Sequence, residues 1–121
     1  MKTAYFAHSK MLYHTEEERL QRQFIEKMFE QVICPNRDIG ELGDINKYLK
    51  IIEDSCTHVV CSEFLDLVGR GVWEEVKCAR RNHLPIYCIR KINGKYKLLK
   101  VKSGKVVDKE NWKSYAKLIC E

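Results

Sequence analysis

Four short apolar runs, "TAYFAH" (Thr3 to His8), "QVICP" (Gln31 to Pro35), "THVVCS" (Thr57 to Ser62) and "PIYCIR" (Pro85 to Arg90), alternate with segments whose apolar residues recur at helical spacing. That alternation constrains the fold more than any other feature. Runs this brief and this apolar are strands covered on both faces, and strands that alternate with helices join in parallel. The order βαβαβαβ over the first 90 residues therefore predicts an α/β protein with a central parallel sheet.

The intervening helices carry their own signals. Thr15 with Glu18 three residues later forms a capping box, and Leu20, Phe24 and Met28 repeat at i+4, which predicts a first long helix. Pro35 is expected to stop the second strand, and "NRDIGELGD" (Asn36 to Asp44) reads as a polar loop. Asp44 caps a helix that turns Ile45, Leu49 and Ile52 to one side. A turn containing Gly69 and Gly71 leads into a third helix over Val72 to Asn82. After Arg90 the style changes: Asn93-Gly94 and Ser103-Gly104 are hairpin signals, so antiparallel strands extend the sheet. A closing helix with Trp112, Tyr115 and Ile119 inward is expected to complete a single domain over residues 1–121.

Composition excludes several classes. The chain has 121 residues, 45% hydrophobic and 32% charged, with no apolar run near the roughly 20 residues that span a bilayer. "MKTAYFAHSK" reads as a mature first strand, which points to the cytoplasm. Six cysteines form no CxxC or CxxH pair, and His8, His14, His58 and His83 are not at ligand spacing with them. Buried thiols, no metal and no cofactor are the expectation. The net charge of +5 is concentrated after residue 89, where ten Lys/Arg face Asp108, Glu110 and Glu121, leaving the first 89 residues at −2.

In a doubly wound sheet, ligands bind beyond the carboxyl ends of the strands where strand order reverses. The segments expected there run from Tyr5 to Ser9, from Asn36 to Asp38 and from Ser62 to Glu75. Within "GVWEEVKCA" (Gly71 to Ala79), Val72, Val76 and Ala79 define the buried stripe. Glu75 falls about 40° from Ala79 at 100° per residue, on the margin of that stripe, whereas Glu74 points to solvent. A partly desolvated carboxylate at a cleft suits nucleophile or base chemistry, so Glu75 is the candidate. Compensation of the helix dipole is the competing explanation.

These residues resemble the nucleoside 2-deoxyribosyltransferase family and its nucleotide N-glycosidase relatives. "YFAHS" is similar to the family's first strand, and "IIEDSCTHVVCSE" to the helix end and third strand. Gly71, Glu75 and Ala79 stand at the spacing of its GTxxExxxA pattern, followed by "LPIYCI" where the family has a strand of the "KPVI" type. The resemblance covers about residues 4 to 90. It implies a Rossmann-like, flavodoxin-like three-layer fold that cleaves or transfers the N-glycosidic bond of a nucleoside or 5′-nucleotide. It also implies that Glu75 attacks the anomeric carbon, that Tyr5 orients it, and that a homodimer completes the cleft. The family's acidic residue after the third strand has Glu63 and Asp66 as counterparts. "VGRG" replaces the family's hydroxyl-bearing turn, so Arg70 stands where it could grip a phosphate, and Gly71 would let the backbone approach the ligand. His8, Ser9, Asn36 and Arg37 complete the candidate substrate-binding set.

Two other classes compete. One is a non-catalytic or TIR-like nucleotide-binding or sensor module with the same cleft. The other is nucleic-acid binding through Lys95, Lys97, Lys100, Lys102 and Lys105 with Tyr96 stacking, although edge lysines also protect a sheet from pairing with other chains.

Overall fold

A computed structural model describes residues 1–8, 12–40, 45–62 and 70–100. The elements run β1 (Thr3–Ala7), α1 (Glu16–Met28), β2 (Gln31–Ile33), α2 (Pro35–Asp38), α3 (Ile45–Ser55), β3 (His58–Ser62), α4 (Arg70–Arg81), β4 (Ile86–Ile92) and β5 (Lys95–Lys100). They form an α/β fold with one five-stranded sheet of order β2-β1-β3-β4-β5. β1, β2, β3 and β4 pair in parallel, and β5 runs antiparallel to β4. The Asn93-Gly94 turn joins that last pair with both residues at positive φ, 52° and 79°, as a tight hairpin requires.

The sheet has helices on both faces because its central strands are apolar on both. All five residues of β1 are buried. Tyr5 and Ala7 pack with Tyr48 and Ile52 of α3 and Val72, Trp73, Val76 and Ala79 of α4. Ala4 and Phe6, pointing the opposite way, pack with Ile25 and Phe24 of α1 and with Val32, Val60 and Ile89. Fully burying a side chain of this size contributes about 1.5–3 kcal/mol, so this one strand anchors both layers. The strand order reverses between β1 and β3, and the carboxyl ends of those strands, at His8 and Ser62, mark the crevice where such folds bind ligands.

Three local expectations are corrected. Pro35 does not lead into a loop but opens α2, where its missing N–H and fixed φ cost nothing in a first turn. The buried face of α1 is Glu18, Gln21 and Ile25, while Met28 is 55% exposed and Phe24 is only partly covered. The reason is polar: the sheet presents His8 to the start of this helix, and Glu18 turns inward to meet it. α4 begins at Arg70, so Arg70 and Gly71 lie in its first turn, not in the turn before it. The helix closes on His83, held at φ 57° while Leu84 N–H donates to the Ala79 carbonyl.

Other expectations stand outside the described residues: Ser9, Glu63, Asp66, the cap at Asp44, the Ser103-Gly104 hairpin and the helix containing Trp112, Tyr115 and Ile119. Among the described residues, no helix is long and apolar enough to cross a membrane. The five described cysteines are free and buried.

Candidate functional site

Two buried glutamates lie on opposite faces of the sheet near the reversal of strand order. Glu75, one turn into α4, is 4% exposed. Its Oε2 accepts a hydrogen bond from the Tyr5 hydroxyl, which β1 delivers from the middle of the sheet. The neighbouring Glu74 is turned out to pair with Lys77 at 3.1 Å on the helix surface. The phase read from "GVWEEVKCA" thus separates the two as expected, but Glu75 goes past the margin of the apolar stripe and into the interior. Trp73 is buried in the same cluster.

Burial raises the Glu75 carboxyl from 4.5 to about 8, and the hydrogen bond from Tyr5 offsets only part of that shift. One donor does not replace the hydration a carboxylate loses. Tyr5 is raised well above its usual range, first by burial and then by the adjacent Glu75. Its proton therefore stays on oxygen and serves as a fixed donor. Tyr13 sits above the end of β1, its hydroxyl raised by burial and by Tyr48, Glu75, Cys34 and Glu18. Tyr48 donates to the Gly40 carbonyl. Tyr13 escaped the sequence reading because it falls between the first strand and first helix, where no periodicity marks it.

On the α1 face, Glu18 is 3% exposed and held by three groups. Its Oε2 meets His8 Nε2 at 2.6 Å and accepts from Asn36 Nδ2 at 3.0 Å, and its Oε1 accepts from the His14 N–H at 3.1 Å. Thr15 caps α1 by accepting from the Glu18 N–H, so half of the expected capping box forms. The other half is diverted, because the Glu18 carboxyl reaches into the site. Burial works to raise the Glu18 carboxyl, but the bonds from His8, His14 and Asn36 prevail and hold it below its usual value.

His8 is fixed from both sides. Its Nδ1 lies 2.9 Å from the Phe6 carbonyl, which can only accept, so Nδ1 carries a hydrogen and Nε2 is the atom turned to Glu18. The ring stacks on Phe6 at 4.0 Å and meets Tyr13 edge-on at 5.2 Å. Cys34, at the end of β2, donates to Asn36 Oδ1 at 3.1 Å. Burial and the nearby Glu18 push the Cys34 thiol up, so it is no ready nucleophile. The donor atoms of His8, Glu18 and Cys34 all lie within 4.8 Å of one another.

The candidate residues therefore divide. Tyr5 and Glu75 come together on one face, and His8 and Asn36 on the other through Glu18. Arg70 and Gly71 contribute backbone to the first turn of α4. Arg37 is turned elsewhere: its guanidinium is held by Asp38 at 2.9 and 3.0 Å and by the Val32 carbonyl at 3.0 Å. It lines an open groove of about 660 Å³ with Glu26, Ile39 and Ile51 at the β2 edge, away from Glu75. Ser62, at the carboxyl end of β3, is buried with its hydroxyl unpartnered among the described residues. Glu18 and Cys34 were passed over in the sequence, one as a helix cap and the other as a plain core thiol. No family model, no curated protein and no solved structure matches the chain, so the geometry carries the functional argument alone.

Proposed function

We propose that the protein cleaves or transfers the N-glycosidic bond of a nucleoside or 5′-nucleotide, with Glu75 as nucleophile and Tyr5 as its positioning donor. The observation that supports this reading is the buried Tyr5–Glu75 pair beside the strand-order reversal. Oε2 accepts from Tyr5, and Oε1 is the oxygen this reading assigns to the anomeric carbon. In the ionised form it forms a C1′–O bond as the C1′–N bond breaks, the bonding pair leaves with the base, and the base takes up a proton. Water or a second base then displaces the carboxylate. An oxocarbenium-like transition state is cationic, so a poorly solvated carboxylate stabilises it strongly. Arg70, in the first turn of α4, is the residue this reading assigns to a substrate phosphate, and a homodimer is the assembly it expects.

The raised carboxyl gives this reading a characteristic pH dependence. A neutral carboxyl cannot attack, so kcat/KM climbs with pH and levels off above about 8, where Glu75 is ionised. Incubation with a panel of nucleosides, 5′-nucleotides and NAD, followed by chromatography for released base, is the direct test. Glu75→Gln is expected to lower kcat/KM by about 10³-fold or more. Release that is unchanged in this variant removes Glu75 from the mechanism.

The same raised carboxyl also supports a second reading, a nucleotide-binding or sensor module in which Glu75 stays neutral at physiological pH. Tight binding of a nucleotide by the wild type without turnover at any pH from 6 to about 9 would select it. Nucleic-acid binding by β5 has less support. Lys95 and Lys97 share one face of the strand and Lys100 the other, and the Tyr96 hydroxyl is bound to Glu17 at 2.8 Å, turned toward α1.

A further inference from the structure

We propose that His8 Nε2, Glu18 Oε2 and Cys34 Sγ form a binding site for one divalent transition-metal ion of the zinc class. The inference is independent of the Glu75 reading, since these three groups lie on the α1 face of the sheet. Each ligand comes from a different place: His8 from the end of β1, Glu18 from the first turn of α1 and Cys34 from the end of β2. All three are buried, and their donor atoms lie within 4.8 Å of one another. A tetrahedral ion with bonds of about 2.0–2.3 Å places its ligand atoms roughly 3.3–3.6 Å apart. Nε2 and Oε2 now stand at 2.6 Å, a distance that holds a shared proton, so they part by less than an ångström to admit the ion.

Groups around the three ligands already do what an outer shell does. The Nδ1 hydrogen bond to the Phe6 carbonyl holds the ring so that Nε2, once its shared proton has left, presents a lone pair to the ion, the usual arrangement behind a metal-bound histidine. The His14 N–H holds Glu18 Oε1, leaving Oε2 to bind alone, and Asn36 contacts both Oε2 and Sγ. Charge balance also fits a buried site. A thiolate, a carboxylate and a neutral imidazole cancel a dication. On binding, the thiol proton and the proton shared by Nε2 and Oε2 pass to solvent. The mixed S, N and O donors suit a borderline ion and disfavour Mg²⁺ and Ca²⁺, which take oxygen ligands.

The test uses the full chain, freed of metal with a chelator and titrated with Co²⁺ alone, then with Zn²⁺ in competition. One equivalent of Co²⁺ is expected to produce a near-ultraviolet thiolate-to-cobalt charge-transfer band that Zn²⁺ abolishes. Cys34→Ser should remove the band, His8→Gln should weaken Co²⁺ binding at least about 10-fold, and Cys78→Ser, on α4, should leave the band unchanged. Should His8→Gln fail to fold, the nearly isosteric Cys34→Ser decides, with a rise in Tm on adding Zn²⁺ expected in the wild type and not in Cys34→Ser. No band in the folded wild type, or a band that survives Cys34→Ser, overturns the proposal.

Discussion

Glu18 and Glu75 are the same residue type, each in the first or second turn of a helix, at 3% and 4% exposure on opposite faces of one sheet. Yet Glu18 is held below its usual carboxyl range and Glu75 is raised to about 8. Both are shielded from solvent, but Glu75 lies deeper in the protein, so burial raises its carboxyl more strongly than that of Glu18. Among the described residues, Glu18 receives bonds from His8, Asn36 and the His14 N–H, whereas Glu75 receives one from Tyr5. Depth of burial and the donors supplied to the carboxyl together decide whether it keeps its proton. One face of the sheet therefore holds a carboxylate matched to cations, and the other a carboxyl poised to change charge near neutral pH.

The same substitution at the two positions should have opposite effects on stability. In the folded chain Glu75 keeps its proton up to about 8, and in the unfolded chain it loses it near 4.5. Between those values the folded state binds more protons, so stability falls as pH rises through that window and is level above it. Glu75→Gln has no proton to lose and can still accept from Tyr5. Denaturant unfolding at pH 9 should find it more stable than the wild type by about 3–5 kcal/mol, with the wild-type slope between pH 5 and about 8 removed. A parallel slope in both proteins would place the Glu75 carboxyl in the ordinary range.

Glu18→Gln should cost stability instead. Both Glu18 oxygens accept, and an amide can present only one acceptor, so either the Asn36 amide or the His14 N–H faces another donor. The expected loss is about 1–3 kcal/mol at neutral pH by the same measurement. Tyr5→Phe removes the Tyr5 donor to Glu75. The carboxyl should then ionise at higher pH, moving the rise in kcat/KM upward, and activity at neutral pH should fall by about 10–100-fold. The smallest effect is expected one residue away. Glu74→Gln breaks only the surface pair with Lys77, and should change stability by no more than about 0.5 kcal/mol and leave the pH profile unaltered.

Much of the fold was legible locally. The alternation of strands and helices, the Thr15 cap, the Asn93-Gly94 hairpin and the inward phase of Glu75 each depend on residues a few positions apart, where backbone geometry ties pattern to direction. α1 shows where this fails. Its apolar residues point to a face through Leu20, Phe24 and Met28, but the helix is rotated so that Glu18, Gln21 and Ile25 face in. A carboxylate bound by a buried histidine outweighs the exposure of one methionine at a helix end. Arg37 illustrates the same limit, since its neighbour Asp38 and the Val32 carbonyl hold it at the β2 edge.

By itself the sequence determined the four parallel strands and the three longer helices between them, though not the short α2, that the sheet is mainly parallel, and which of two adjacent glutamates turns inward. Only the tertiary structure decided which polar groups meet. Tyr5 reaches Glu75 across 70 positions and His8 reaches Glu18 across 10, while Cys34 joins the latter pair only because β2 lies beside β1. Spacing rules for metal ligands and catalytic pairs describe groups on one turn or one loop. Here the contacts are made where separate strands end side by side, and that adjacency follows from the packing of the sheet's apolar faces against the helices.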